Sequence, residues 1–155
     1  MAKFFRRGVS KIYFLPAVAS LAAPTTIEVD AGEDLSAAVA DIGGFSIANS
    51  PIPIPDLDTI FTKQINGEDT VDDSSLTFND DDADDTVRTT LAKGTTGFIV
   101  LMPYGREATA RCEVWPVVVT GFNDQWSLGN DPAQAVCGFA ITGTPEQDAV
   151  QPALT

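Results

Sequence analysis

A strand–helix–strand pattern within residues 74–103 constrains the fold of this chain more than any other stretch. Ser74–Asn79 alternates polar and apolar side chains, which is typical of a half-buried strand. Residues 98–102 are all apolar, which indicates a strand that is covered on both faces. The short helix between the two strands is marginally stable in isolation. It must therefore pack on a sheet, and the apolar strand that follows it is the expected floor.

The predicted helix covers residues 83–93 and begins in a cluster of acids. Five aspartates lie within residues 80–85, and Asp81 or Asp82 can accept hydrogen bonds from the free N–H groups of the first turn. An apolar stripe at every fourth position consists of Ala83, Val87 and Leu91. Gly94 is placed to end the helix. We therefore predict a mainly β domain with a single helix.

The charge balance argues against several classes of function. The 155 residues carry a net charge of -13 and include no histidine. Binding nucleic acid through its phosphates needs a basic surface. The usual serine and cysteine triads and the usual mixed zinc sites need an imidazole. We therefore expect no catalytic residues, no metal and no cofactor, and we do not expect an enzyme.

Acidic residues are concentrated in residues 66–85, which contain nine acids and no base. An EF-hand calcium loop counted from Asp80 would need glycine and glutamate where the chain has Asp85 and Leu91, so the pattern fails. A solvated acidic face is the better interpretation. Two of these acids could still form a carboxylate pair for glycoside hydrolysis, but nothing in the sequence selects a pair.

The two cysteines, Cys112 and Cys137, do not constitute a disulfide framework. Each lies in an apolar strand pattern, which favours two small core residues. A disulfide between them would require that their strands are neighbours.

The remaining stretches yield short strands that are separated by turns. The predicted strands are residues 11–15, 26–29, 45–48, 111–119 and 136–143. Pro116 indicates a bulge or an edge within its strand. Pro51, Pro53 and Pro55 indicate an extended segment at an edge or in a loop. The predicted turns include Asn66-Gly67 and residues 121–125.

The N-terminus is a basic arm on an acidic protein. Residues 1–11 hold four of the nine basic residues, namely Lys3, Arg6, Arg7 and Lys11. We expect this arm, residues 1–10, to contact a neighbouring copy, and the simpler alternative is a frayed tail. The basic start and the apolar residues after it also resemble a secretory signal, although Pro16 splits the apolar run. A second hypothesis is therefore an exported β-sandwich binding module with a signal-like segment.

The order and spacing of several segments resemble the major tail tube proteins of bacteriophages with long, non-contractile tails. The segments are residues 39–46, 74–78, the acid-capped helix, and residues 94–100, 117–122 and 139–145. The resemblance implies two packed antiparallel sheets, sandwich-like or barrel-like, with one flanking helix. It also implies hexameric rings that stack into a tube, with a continuous inner β-barrel through which DNA passes. Joining identical copies edge to edge would remove the unpaired edges of an open sheet.

The resemblance also assigns parts of the chain. It implies one tail tube domain, residues 1–155, with an N-terminal arm and a polar C-terminal tail at residues 146–155. The long loop that bridges rings falls at residues 57–70, and we prefer this loop to a strand at residues 59–65. The interface residues expected on this basis are Lys3, Arg6, Arg7, Leu57, Phe61 and Ile65. The acids expected in the lumen are Asp56, Asp58 and Glu113.

The expected partners follow from the same resemblance. The protein would bind other copies of itself, the tape measure protein and the tail terminator and distal tail proteins. It would lie in the tail of the virion after assembly in the host cytoplasm, without membrane insertion. DNA would pass without specific binding, because an acidic lumen repels phosphates.

Overall fold

The computed structural model describes Lys3, residues 5–80, Ala83, and residues 85–107 and 109–152. The first strands are β1 (Lys11–Leu15), β2 (Glu33–Asp34), β3 (Val39–Gly43), β4 (Ile47–Asn49), β5 (Ile52–Ile54) and β6 (Lys63–Ile65). The later strands are β7 (Asp69–Val71), β8 (Ser74–Asn79), β9 (Thr96–Met102), β10 (Arg111–Gln125), β11 (Gln134–Ile141) and β12 (Glu146–Val150). The helices are α1 (Thr26–Ala31) and α2 (Thr86–Thr90).

Eight of these strands form one antiparallel sheet. Its strand order is β2-β1-β9-β10-β11-β8-β3, and β12 pairs with β10 beside this path. The long strand β10 pairs with β9 along one edge, and along the other edge it pairs first with β12 and then with β11. Two further ladders, β4 with β7 and β5 with β6, lie outside this sheet.

The sheet curls, so that strands near both of its ends contribute side chains to one core. Phe14 of β1 and Phe78 of β8 belong to the same buried cluster as Trp115 of β10, which is fully buried. On the opposite face, a second cluster around Val100 and Val114 includes Val29 of α1 and Ala149 of β12. The expected mainly β, antiparallel and sandwich-like or barrel-like fold is confirmed.

The predicted strand–helix–strand unit is present, with a shorter helix. Within β8 the alternate side chains Leu76 and Phe78 are buried, and β9 is largely buried, as the two patterns predicted. The helix α2 covers five residues rather than residues 83–93, and its N-terminal neighbour Asp85 makes no side-chain capping bond. The expected caps Asp81 and Asp82 lie outside the described residues. Leu91 is buried just after the helix. Gly94 then adopts a left-handed backbone conformation, with a φ of 87°.

The expectation of a single helix, with a strand at residues 26–29, is wrong. This stretch forms α1, which begins with a capping box. The backbone N–H of Glu28 donates to Thr25 Oγ1 at 3.2 Å, and the N–H of Thr25 donates to Glu28 Oε1 at 2.8 Å. Backbone N–H groups of Thr25 and Ala19 lower the pKa of the Glu28 carboxyl, because they stabilise its charged form. The Thr-x-x-Glu spacing was the signal for this helix.

The polar C-terminal tail expected at residues 146–155 is also corrected. Residues Glu146–Val150 form β12, in which Ala149 is fully buried. Beyond the strand, the buried side chain of Gln151 donates to the Gly105 carbonyl at 2.8 Å and accepts from the Glu107 N–H at 3.1 Å. The pairing with β10 specifies this strand, since its own residues have little apolar periodicity.

Strand β10 runs through the turn predicted at residues 121–125. A register shift between Val119 and Gly121 precedes this stretch, which then pairs residue by residue with β11. Phe122 stacks on Phe78 with ring centroids 5.9 Å apart, and this contact holds the extension against the core. Pro116 lies where β10 changes its neighbour, and its carbonyl accepts a bond from the Thr142 N–H. The missing N–H of the proline thus falls at a gap in the pairing of that edge.

Both cysteines are free and buried, so the core interpretation is confirmed and a disulfide is absent. Cys112 lies in the second cluster, beside Ala149 of β12, whereas Cys137 lies in the main core. Burial raises the pKa of the Cys112 thiol to about 11 and that of the Cys137 thiol to about 12, because it disfavours the thiolate.

Candidate assembly surfaces

A long hairpin, residues 46–73, extends from the sheet between β3 and β8, and we call it the hairpin arm. Its strands pair as two successive ladders, with Ile47 opposite Val71 nearer the sheet and Ile52 opposite Ile65 farther out. The loop expected at residues 57–70 is therefore partly strand, since it includes β6 and the start of β7. The proline segment is extended and lies in the outer, two-stranded ladder, as its composition predicted.

The two ladders of the arm meet at Gly67. An added Cβ at this position would overlap the carbonyl oxygen of Ser50, so only glycine allows the strands to approach here. The Asn49 side chain accepts from the Gly67 N–H and donates to its carbonyl, which satisfies the backbone between the ladders. Asn66-Gly67 therefore lies at the junction of the two ladders, and the hairpin turn that the sequence predicted there is wrong.

Large apolar side chains cover the hairpin arm and are exposed. Seven of them are Ile47, Ile52, Ile54, Leu57, Ile60, Phe61 and Ile65. Leu57 is fully exposed and Phe61 is 73% exposed, although both are residue types that usually lie in a core. Large apolar side chains that are exposed together on one element mark an interaction site. The structure thus brings three expected interface residues, Leu57, Phe61 and Ile65, onto one arm.

The acids expected in the lumen lie on different elements. Asp56 and Asp58 are in the tip of the hairpin arm, where Asp56 Oδ1 accepts the N–H groups of Asp58 at 3.0 Å and Thr59 at 2.9 Å. Asp56 therefore also shapes the turn at the tip. Glu113 is half-buried on β10 and accepts a hydrogen bond from Gln147 at 3.4 Å.

A second exposed apolar surface lies at the opposite end of the sheet. Trp126, which is 91% exposed, and the fully exposed Leu128 are in the loop between β10 and β11. That loop adjoins the Asn79–Gln134 end of the β8–β11 pair, whereas the hairpin arm leaves from the Ser74–Phe139 end. Residues 126–131 have neither a helix nor a strand pattern in the sequence and read as an ordinary loop. The available signal was two large apolar residues among turn-forming ones.

The basic N-terminal arm is exposed in its described residues. Lys3, Arg6 and Arg7 are all exposed, and Phe5 is 71% exposed. The chain makes a turn in which the N–H groups of Val9 and Ser10 donate to the Arg6 carbonyl. Ser10 Oγ then donates to the Pro103 carbonyl at 2.8 Å, which anchors the arm beside β1 and β9.

All three arginines outside the N-terminal arm make contacts within the chain. Arg88 pairs with Asp124 and lies over the Phe122 ring, 4.9 Å from its centroid. Arg106 pairs with Asp30 at 2.7 Å, and Arg111 donates to the Gln147 carbonyl at 3.1 Å. These contacts leave few cations on the described surface for binding phosphates.

The described residues contain no group of three or more histidine, cysteine, aspartate or glutamate side chains arranged to hold a metal ion. Neither of the helices in the described part of the chain is long and apolar enough to cross a membrane.

Comparison with known proteins gives a family match over nearly the whole chain. A family model described as "Phage tail tube protein" matches residues 1–154. No curated protein matches. Among solved structures, a chain of the six-fold symmetrised anti-feeding prophage baseplate has a TM-score of 0.60 at 8% identity, over 94% of this chain and 97% of that one. A chain of the tail of an empty gene transfer agent particle, refined with C6 symmetry, has a TM-score of 0.54 at 13% identity, over 96% of this chain and 100% of that one. At these identities the likeness concerns the fold.

Proposed function

This chain belongs to the phage tail tube protein family, and we propose that a single domain, residues 1–155, assembles into hexameric rings that stack as a DNA conduit. A structural role in the virion tail follows from the family. The observation that carries the proposed assembly is the hairpin arm, whose large apolar side chains are exposed in the single chain. Burying such a side chain contributes about 2 kcal/mol, and every copy in a ring would gain this contribution.

The edges of the sheet support ring closure. In the described part of the chain, β3 pairs with β8 alone, so its other edge carries unpaired N–H and C=O groups. Head-to-tail joining of identical copies pairs such edges and closes when the rotation per copy divides the circle. The six-fold symmetry of the two structurally similar assemblies supports six copies for this chain as well.

Stacking requires two different surfaces at opposite ends of each copy, because head-to-tail contacts are not self-complementary. The hairpin arm lies at one end of the β8–β11 pair, and Trp126 and Leu128 lie at the other. We assign Leu57, Phe61 and Ile65 to contacts between successive rings. Lys3, Arg6 and Arg7 of the basic N-terminal arm would reach neighbouring copies, attracted by the net charge of -13.

The tube would conduct DNA without binding it or acting on it. Asp56, Asp58 and Glu113 are the candidate lumen acids, and acids along the lumen would repel phosphates. Because binding to phosphates releases counterions, a basic track would retain duplex DNA with a steep salt dependence. We expect assembled tubes not to retard duplex DNA in a gel at low salt. Retention that weakens steeply with added salt would contradict an acidic lumen.

Further partners belong to the same proposal. The tape measure protein would occupy the lumen during assembly in the host cytoplasm, and terminator and distal tail proteins would cap the two ends. The alternative, an exported binding module, is not favoured, because the family model matches from residue 1 and so includes the signal-like segment.

Negative-stain microscopy of the purified protein tests the proposal directly. We expect tubes with a regular ring repeat, or free rings at low concentration. A protein that remains monomeric at every concentration, salt and temperature tried would contradict the proposed assembly.

A further inference from the structure

We propose that the basic N-terminal arm of one copy docks in a cleft at the base of the hairpin arm of a neighbouring copy. The inference rests on the proposed assembly and identifies the surface that receives the N-terminal arm. It is carried by the shape and charge of the cleft, and by the matching chemistry of the arm.

The cleft has a volume of about 580 Å³ and lies between the hairpin arm and the end of β11. One wall is formed by Ile47 and Val71 of the inner ladder, and the other by residues 139–145. Ala140 and Thr142 on this second wall are small and exposed, so a foreign chain can approach the backbone closely. The cleft therefore offers apolar contact surface and room for an extended segment.

The rim of the cleft is acidic. Asp69, Asp72 and Asp73 line it, and no basic residue does so. Asp69 accepts a hydrogen bond from Asn49, while Asp72 and Asp73 form no ion pair with any described residue. A partner that binds in the cleft would exclude water from these three carboxylates. The desolvation of the carboxylates is unfavourable unless the partner supplies cations to pair with them. The cleft therefore fits a partner that is both basic and apolar.

The basic N-terminal arm has this composition. Lys3, Arg6 and Arg7 supply three positive charges, and Phe5 supplies an exposed aromatic ring between them. Phe5 fits the apolar floor, and the flanking cations fit the three rim acids. The match in charge favours this occupant over the hairpin tip of a neighbour, which carries Asp56 and Asp58 and would be repelled.

The arm's position in its own chain favours a neighbouring copy as the receiver. Ser10 is tied to Pro103, and Arg6 lines a different cavity together with Ser10, Lys11 and Pro103. The cleft at the base of the hairpin arm is lined by none of these residues. An arm that reaches the cleft of the next copy would link subunits by a contact separate from the apolar tip of the hairpin arm.

Cross-linking between two single-cysteine variants tests the docking. Ala2→Cys protein, which keeps Phe5 and the three cations of the arm, is mixed with Thr142→Cys protein, assembled, and treated with a short bismaleimide; the native thiols are buried and have raised pKa values. We expect a covalent dimer in mixed tubes. The matched control pairs Ala2→Cys with Ser127→Cys, an exposed position at the opposite end of the sheet. Cross-linking no stronger than in this control would overturn the proposal, as would intramolecular cross-linking in a dilute monomer that carries both Ala2→Cys and Thr142→Cys.

Charge reversal provides a second, independent measurement. We expect Asp72→Lys with Asp73→Lys to reduce tube yield at least tenfold, and Lys3→Glu with Arg7→Glu to do the same. Mixing the two charge-reversed proteins should restore copolymerisation, because every contact between unlike copies then pairs opposite charges. If wild-type protein forms no tubes, the proposed function fails. If wild-type tubes form and both reversed proteins assemble normally, the docking alone fails.

Discussion

The curled sheet and the hairpin arm are built from the same types of apolar residue in opposite environments. In the sheet, Ile99 is fully buried and Phe78 is almost so. In the arm, Ile60 is fully exposed and Phe61 is 73% exposed. The sheet thus has its own core, whereas the arm consists of two-stranded ladders, which are marginally stable without further packing. The comparison indicates that a single chain specifies the sheet, and the proposed contacts with other copies would complete the arm.

The two tryptophans give the strongest test of this difference. Trp115 is fully buried in the core, and Phe45 packs edge-on against it with ring centroids 5.6 Å apart. Trp115→Ala should lower the free energy of unfolding by about 3–5 kcal/mol because it leaves a cavity. Trp126→Ala, at an exposed position, should change it by less than about 0.5 kcal/mol. Urea denaturation of both variants as monomers measures the two effects, and equal losses would contradict the burial described for Trp115.

Changing the arm should affect assembly and leave the fold intact. Phe61→Asp places a charge in the proposed contact between rings and should block stacking, at a loss of about 2 kcal/mol of apolar burial per copy. The matched control, Thr62→Asp, adds the same charge at the next exposed position. Electron microscopy should show tubes for the control and rings or monomers for Phe61→Asp, with unchanged urea midpoints for both. Normal tubes from Phe61→Asp would move the contact away from this residue.

A substitution at the start of α1 should have a smaller effect. This helix packs on the sheet within a single chain, so its stability does not depend on other copies. Thr25→Ala removes the hydroxyl that accepts the Glu28 N–H and should cost about 1 kcal/mol of stability. Tube formation should persist under stabilising conditions, because the substitution is remote from the hairpin arm. Urea denaturation measures the loss, and a variant as stable as wild type would show that the cap contributes nothing.

The smallest predicted effect is pH-dependent and comes from Glu28. Its pKa is lowered in the folded state, so its contribution is present above the unfolded-state pKa and is lost as the pH falls through the folded-state pKa. Glu28→Gln should therefore be slightly less stable than wild type at pH 7. The difference should shrink below about pH 4.5, the ordinary pKa of a glutamate carboxyl. Urea midpoints at a series of pH values measure it, and a gap that widens in acid would reverse the assigned sign.

Local sequence patterns predicted the elements whose own residues specify them. The alternation of Ser74–Asn79 and the apolar run in β9 predicted both strands, and the alternating prolines predicted an extended segment at an edge. Strand β12 was missed because a single inward side chain, Ala149, is fully buried, and β10 supplies its pairing. The turn-forming residues 121–125 became strand because β11 pairs with each of them. Helix α1 was missed for a different reason, since β-branched residues mask its capping box.

The candidate site was predictable in part. The hairpin arm could be located from residue types and from the family resemblance, and Leu57, Phe61 and Ile65 are exposed on it. Two further surfaces could not be located from the sequence, namely the surface of Trp126 and Leu128 and the cleft at the base of the arm. Both depend on which strands become neighbours in space. Periodicity describes one element at a time and carries no information on such long-range pairing.

The two buried thiols bear on how the tail ages outside the cell. The surroundings of a virion outside the cell are oxidising, and a thiol that reacts with oxidants or with disulfides must be accessible and ionised. Cys112 and Cys137 are buried, and their raised pKa values keep them protonated at neutral pH. Burial and raised pKa values therefore both disfavour oxidation of these two thiols to sulfenic acid and their cross-linking between copies.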